Sequence, residues 1–154
     1  MTGRDLQPLI PSMAAHARST YPLECCGLVL ADAAGTPRFL PVPNVAGTRA
    51  AAGNSDRTRR DGYVMEPRAL LEALEQVERN GGRLAVIVHS HPDVGAYFSK
   101  EDRDIALGGG GEPLWPDVQY LVISCRAGGV DAARLFTWNP QERDFAEEEV
   151  PVVP

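Results

Sequence analysis

The chain has 154 residues, with 15 Lys and Arg against 21 Asp and Glu, and a formal net charge of −6 at pH 7. A chain of that sign lacks the basic surface that displaces phosphate counterions, which argues against a nucleic-acid binder. At 44% hydrophobic and 23% charged residues it has the composition of a soluble globular protein, and a chain this long buries roughly 70% of its unfolded surface, so a single domain over 1–154 needs no disulfide or structural metal to fold.

Pro8 and Pro11 restrict where a first helix can begin, and the spacing predicts helix over 12–19 with Met13 and Ala17 inward, ended by Pro22. Residues 25–31 are a short apolar run that reads as a buried strand. Its adjacent Cys25 and Cys26, with Cys125 the only other cysteine, make a poor disulfide framework and read as thiols packed as small hydrophobes. A second strand over 38–42, interrupted by Pro41 and followed by Pro43, belongs at a sheet edge. Residues 44–62 turn small and polar and carry Arg49, Arg57, Arg59 and Arg60. This long loop is either a solvated connection or a substrate-contact segment.

The clearest helix is 66–79, with Pro67 at its first position, Leu70, Leu71, Leu74 and Val77 on one face, and Asn80-Gly81-Gly82 after it. The apolar run 84–88 predicts a central strand covered on both faces. Helix over 99–107, a flexible glycine tract at 108–111, and strands over 118–124 and 133–138 follow, with a tail from Phe145 that is an edge strand or a loose end. Trp115 and Trp138 read as core or loop-anchoring aromatics, and His16 as a packed or solvated helix residue. The order predicts an α/β (α+β) sandwich around one mixed sheet. No window approaches the roughly 20 apolar residues of a membrane span and no signal-like segment opens the chain, so a cytoplasmic protein is expected.

Chemistry concentrates where the 84–88 run ends. His89 and His91 stand at i and i+2, which in a strand puts both imidazoles on one face, where they can share a metal ion, and turns Ser90 away. Ser99 and Asp102 follow at a helix start. That Ser-x-x-Asp spacing has two readings: a capping box, or a helix N-terminus folded back over the strand end so that Asp102 adds a third, oxygen ligand. A His₂Asp set with one open position is the pattern of a catalytic zinc, whose water becomes a nucleophile near neutral pH. Glu101 is closer to the motif than any other glutamate, but lies about 100° round the helix from Asp102.

The run His89-Ser90-His91-Pro92 with Ser99 and Asp102 resembles the signature of the JAMM (MPN+) metalloprotease family, and Glu24, in Pro22-Leu23-Glu24-Cys25-Cys26-Gly27-Leu28, resembles that family's glutamate-bearing segment. The likeness covers about residues 9–138. It implies the family's cytidine deaminase-like architecture and one zinc per chain held by His89, His91 and Asp102. It also implies Glu24 as general acid/base and Ser99 as donor to the oxyanion. For a short chain without a large insertion between Asp102 and Val118 it implies a substrate ending in the Gly-Gly tail of a ubiquitin-like or sulfur-carrier protein. The alternatives are a zinc amidohydrolase of a small molecule and a non-catalytic MPN interaction module; such modules typically lose motif residues that this chain keeps.

Overall fold

The computed structural model describes residues 1–51 and 58–152. Its strands, β1 (Cys26–Ala31), β2 (Pro37–Val42), β3 (Arg83–Pro92), β4 (Gln119–Arg126), β5 (Gly129–Asn139) and β6 (Asp144–Glu149), form a six-stranded sheet in the order β2-β1-β3-β4-β5-β6. The helices are α1 (Gly3–Leu6), α2 (Ile10–Thr20), α3 (Pro67–Arg79) and α4 (Lys100–Leu107). β3 and β4 pair in parallel through the crossover that carries α4, and the other neighbours pair antiparallel. This is the mixed α/β sandwich that the element order predicts.

Two apolar layers hold it together. On one face Leu6, Ile10, Met13 and Ala17 of the N-terminal helices pack on Val29, Val86, Val88, Leu121 and Ile123. On the other, Ala73 and Val77 of α3 and Ala106 of α4 cover Leu28, Leu30, Ile87, Tyr120 and Val122. β3 therefore lies between two layers, which is why its sequence is a continuous apolar run instead of an alternation. The edge assignment of the proline-bearing strand holds, since β2 ends the sheet. Its packing on β1 needs Gly27, because a Cβ there would lie 2.5 Å from the Phe39 ring and 2.8 Å from the Leu40 carbonyl oxygen. The three cysteines are free and buried, and burial pushes the Cys25 thiol up to about 11.

Several boundaries differ from the sequence reading. A short helix, α1, precedes Pro8, started by a capping box in which Asp5 N–H donates to Thr2 Oγ1 and Asp5 accepts from Thr2 N–H. α3 turns Ala73 inward while Leu71 is 56% exposed; a stripe at i, i+3, i+4, i+7 from Leu70 passes through Ala73, Leu74 and Val77 and leaves Leu71 outside it. Gly108, in the glycine tract, is the left-handed C-cap of α4 with φ 58°. The tail is an edge strand, β6, and beyond it Val150 is buried and donates its N–H to the Ala133 carbonyl at 2.9 Å. Trp138 packs edge-on to Phe145, whereas Trp115 is 39% exposed. Among the described residues no helix is long and apolar enough to cross a membrane.

Candidate metal centre

His89 and His91 both lie within β3, which runs on past the apolar run to Pro92. Their imidazoles share the face that α4 covers, and the intervening Ser90 faces the other way, where its Oγ accepts from Cys25 N–H at 2.8 Å and its own N–H donates to the Cys25 carbonyl. That pairing registers the start of β1 against the end of β3, with Cys26 opposite His89. Glu24, two residues further out, is thereby carried to the level of His91. Its carboxylate, 4% exposed as a residue, offers an oxygen within 4.8 Å of both imidazoles, so Glu24, His89 and His91 form a buried group able to hold a metal ion.

Asp102 reaches the same point from α4. Its Oδ2 lies 3.2 Å from His89 Nε2 and 3.3 Å from His91 Nε2, and the two Nε2 atoms are 3.2 Å apart. A tetrahedral ion with bonds of about 2.0–2.1 Å separates its ligands by about 3.3–3.4 Å, so these three atoms describe one face of such a polyhedron. The ring orientation agrees. His91 Nδ1 lies 3.1 Å from the Gly95 carbonyl, which can only accept, so Nδ1 carries a proton, and in the neutral imidazole Nε2 is then left with a lone pair for an ion. On charge, burial would raise the Asp102 pKa, but hydrogen bonds from His89 and His91 outweigh it and hold the carboxyl well below the usual range. Burial likewise works against the His91 cation, and the Asp102 carboxylate overcomes it and raises the pKa.

The approach of α4 is fixed by residues that local periodicity did not single out. Phe98, immediately before the helix, stacks on Phe136 at 5.0 Å and meets Tyr120 and Phe145 edge-on or tilted, a set of contacts each worth about 0.5–1.5 kcal/mol beyond burial. Arg103 pairs with Asp144 of β6. The loop between His91 and Ser99 is held by Asp93 N–H to the Cys125 carbonyl and by Ser124 Oγ to the Val94 carbonyl at 2.6 Å. Tyr63 stacks on His89 at 4.7 Å and 25°, closing the inner side of the site.

Ser99 makes the capping box: its Oγ accepts from Asp102 N–H at 3.1 Å, and Asp102 Oδ2 accepts from Ser99 N–H at 3.0 Å. Capping and site chemistry are compatible, because the cap uses Ser99 Oγ as an acceptor and leaves its O–H to donate. Beside His91 and Asp102 a cavity of about 480 Å³ opens, lined also by Glu24, Ser99, Tyr97 and Arg60. Glu101 also borders it but is exposed, a helix rotation away from buried Asp102. Of the loop arginines, Arg60 borders this cavity, Arg59 borders an adjoining one behind Glu24, and Arg49 sits exposed in a 3₁₀ turn. Arg57 lies outside the described residues. His16 takes a packing role, with Nε2 3.1 Å from the Cys26 carbonyl and its ring tilted on Phe39.

The profile of the prokaryotic homologs of the JAB domain matches residues 6–139. The chain belongs to this family. Among its JAB relatives are a probable TtuB-protein conjugate cleaving protease of Thermus thermophilus, 35% identical over 128 residues that make up 83% of this chain and 70% of the relative. A CysO-cysteine peptidase of Mycobacterium bovis is 30% identical over 118 residues, 77% of this chain and 70% of that one. The solution structure of protein DSY2949 from Desulfitobacterium hafniense superposes with a TM-score of 0.66 at 26% identity, covering 93% of this chain and 87% of that one. This JAB protein is a hydrolytic enzyme, a peptidase, and its buried Glu24, His89 and His91 form a group that could hold a metal ion.

Proposed function

We propose that the chain, acting as one domain in the cytoplasm, is a zinc-dependent peptidase or isopeptidase that cleaves the amide after the C-terminal Gly-Gly tail of a ubiquitin-like or sulfur-carrier protein. The observation that carries this reading is the triangle of His89 Nε2, His91 Nε2 and Asp102 Oδ2, with edges of 3.2 and 3.3 Å, opening onto a cavity that Glu24 and Ser99 also line. The names of the relatives, a probable TtuB-protein conjugate cleaving protease from Thermus and a CysO-cysteine peptidase from Mycobacterium, support the substrate class. His89, His91 and Asp102 are taken as the ligands on the resemblance to the JAMM signature, and their spacing of 3.2–3.3 Å supports it.

When bound, zinc supplies Lewis acidity at the scissile carbonyl and lowers the pKa of water toward about 7. The rest is done by the chain. Glu24 takes the proton of the attacking water and hands it to the leaving amine, a transfer that needs a carboxylate facing both positions from a buried wall. Ser99 donates its O–H to the oxyanion that develops on the carbonyl oxygen. Arg60, at the cavity mouth, meets the incoming carrier.

The test is elemental analysis together with turnover of a carrier protein whose Gly-Gly terminus is joined to a fluorescent amine. About one zinc per chain, and turnover that a chelator abolishes and zinc restores, is the expected result. Full turnover in chelated, zinc-free protein would overturn the reading. Ser99→Ala separates the two uses of that hydroxyl: loss of the cap alone costs about 1 kcal/mol, seen as a lower Tm. Loss of the oxyanion donor lowers kcat by roughly 10²–10³-fold with zinc retained, and this is the outcome expected.

A further inference from the structure

Glu24 lies just before β1, so no strand ladder fixes its backbone. Arg59 and Asn44 hold it instead. Its N–H donates to the Arg59 carbonyl at 2.7 Å, and its carbonyl accepts from Asn44 Nδ2 at 2.9 Å. Asn44 does much more. Its Nδ2 also donates to the Gly62 carbonyl at 3.1 Å, and its Oδ1 accepts from Ala46 N–H and Val64 N–H, each at 3.1 Å.

All four hydrogen-bonding positions of the amide are thus filled, two carbonyls facing the NH₂ and two N–H groups facing the oxygen. Only an asparagine-type amide matches that set. Aspartate, identical in shape, would aim lone pairs at the Glu24 and Gly62 carbonyls. The same side chain closes the neck of the loop, where Asn44 bridges to Met65 and Val45 N–H donates to the Val64 carbonyl.

We propose that Asn44 is a positioning residue for Glu24, one that ties the Glu24 peptide to the backbone at Ala46, Gly62 and Val64. It touches neither substrate nor metal and acts through the backbone that carries the carboxylate. This rests on the reading of Glu24 as the proton carrier. Misplacing a reacting group by about 1 Å costs on the order of 10²-fold in rate, which sets the size of the effect.

The experiment uses Asn44→Asp and Asn44→Ala, alone and combined with Glu24→Gln, in zinc-loaded protein acting on the Gly-Gly carrier amide. Each single variant is expected to lower kcat by about 10–100-fold, with KM within about threefold and zinc content unchanged. In the Glu24→Gln background the same change should lower kcat by less than about twofold, because a positioner loses its effect once the group it positions is gone. A second readout does not depend on turnover. In Asn44→Ala, hydrogen-exchange protection at the Glu24 and Val64 amides should fall more than about tenfold while the β3 amides of Val86 and Val88 keep theirs. Unchanged protection at Glu24 overturns the proposal, as does an equal kcat loss with and without the Glu24 carboxylate. If the wild-type protein does not cleave the carrier amide, the substrate reading fails and the exchange result alone decides for or against the clasp.

Discussion

Glu24→Gln is expected to leave the protein folded and zinc-loaded while kcat falls by roughly 10²–10⁴-fold, about 2.7–5.5 kcal/mol of transition-state stabilisation. The backbone of this residue is held by N–H to Arg59, carbonyl to Asn44, and the following peptide to Ser90. A side-chain change from carboxylate to amide leaves these intact. What the amide cannot do is accept a proton from water at the moment of attack. The loss should therefore sit in kcat with KM nearly unchanged, measured on the carrier amide beside elemental analysis and a melting curve. Turnover near the wild-type value would remove Glu24 from the proton path. Loss of zinc would instead make Glu24 a ligand, an arrangement its 4.8 Å grouping with His89 and His91 makes worth testing.

That same residue shows where the sequence is silent. His89 and His91 are legible because a period of two along a strand is a local rule, and the structure puts both side chains on one face as that rule requires. Asp102 is legible in part: Ser-x-x-Asp marks a helix start, and only the packing of Phe98 and Arg103 brings that start over the strand end. Glu24, one of eleven glutamates, reaches His91 through the antiparallel register of β1 with β3, a pairing across more than 60 positions that composition and periodicity do not encode. Resemblance to the JAMM family selects it, and the structure supplies the reason: Ser90, the residue the histidine motif turns away from the metal, is what locks β1 alongside.

The fold divides along similar lines. Elements with strong local signals, α3 and the central strand β3, lie where the pattern places them. α1 carries a Thr-x-x-Asp box as plain as the one at Ser99, and the prolines at 8 and 11 outweigh it in a sequence reading because they argue against helix interior, not against a helix that ends before them. Leu71 stays exposed for a simpler reason: an apolar residue beside a stripe is not on it. The stretch around Asn44 reads as featureless because what ties it to Glu24, Gly62 and Val64 is one side chain bonding to backbone groups up to twenty residues away.

Replacing both histidines tests the site as a whole. His89→Ala/His91→Ala is expected to carry less than about a tenth of an equivalent of zinc and to have no measurable turnover, since the proposed ligand set loses two of its three members. The protein should still fold, because neither apolar layer includes these residues. It will be less stable, since His89 is fully buried and its loss leaves a void, at a cost of about 2–5 kcal/mol.

The pH dependence of zinc-free protein gives a second check. In the parent, the Asp102 pKa is depressed, so its contribution to stability is complete above the ordinary carboxylate value of about 3.9 and is lost as the pH falls below it. Without the imidazoles that hold the carboxyl down, the shift shrinks, and the denaturation midpoint of the double variant should fall less steeply below about pH 4 than that of the zinc-free parent. A double variant that still binds one zinc would remove His89 and His91 from the ligand set; one that matches the parent's acid slope would show that Asp102 draws its low pKa from Ser99 and the start of α4 rather than from the histidines.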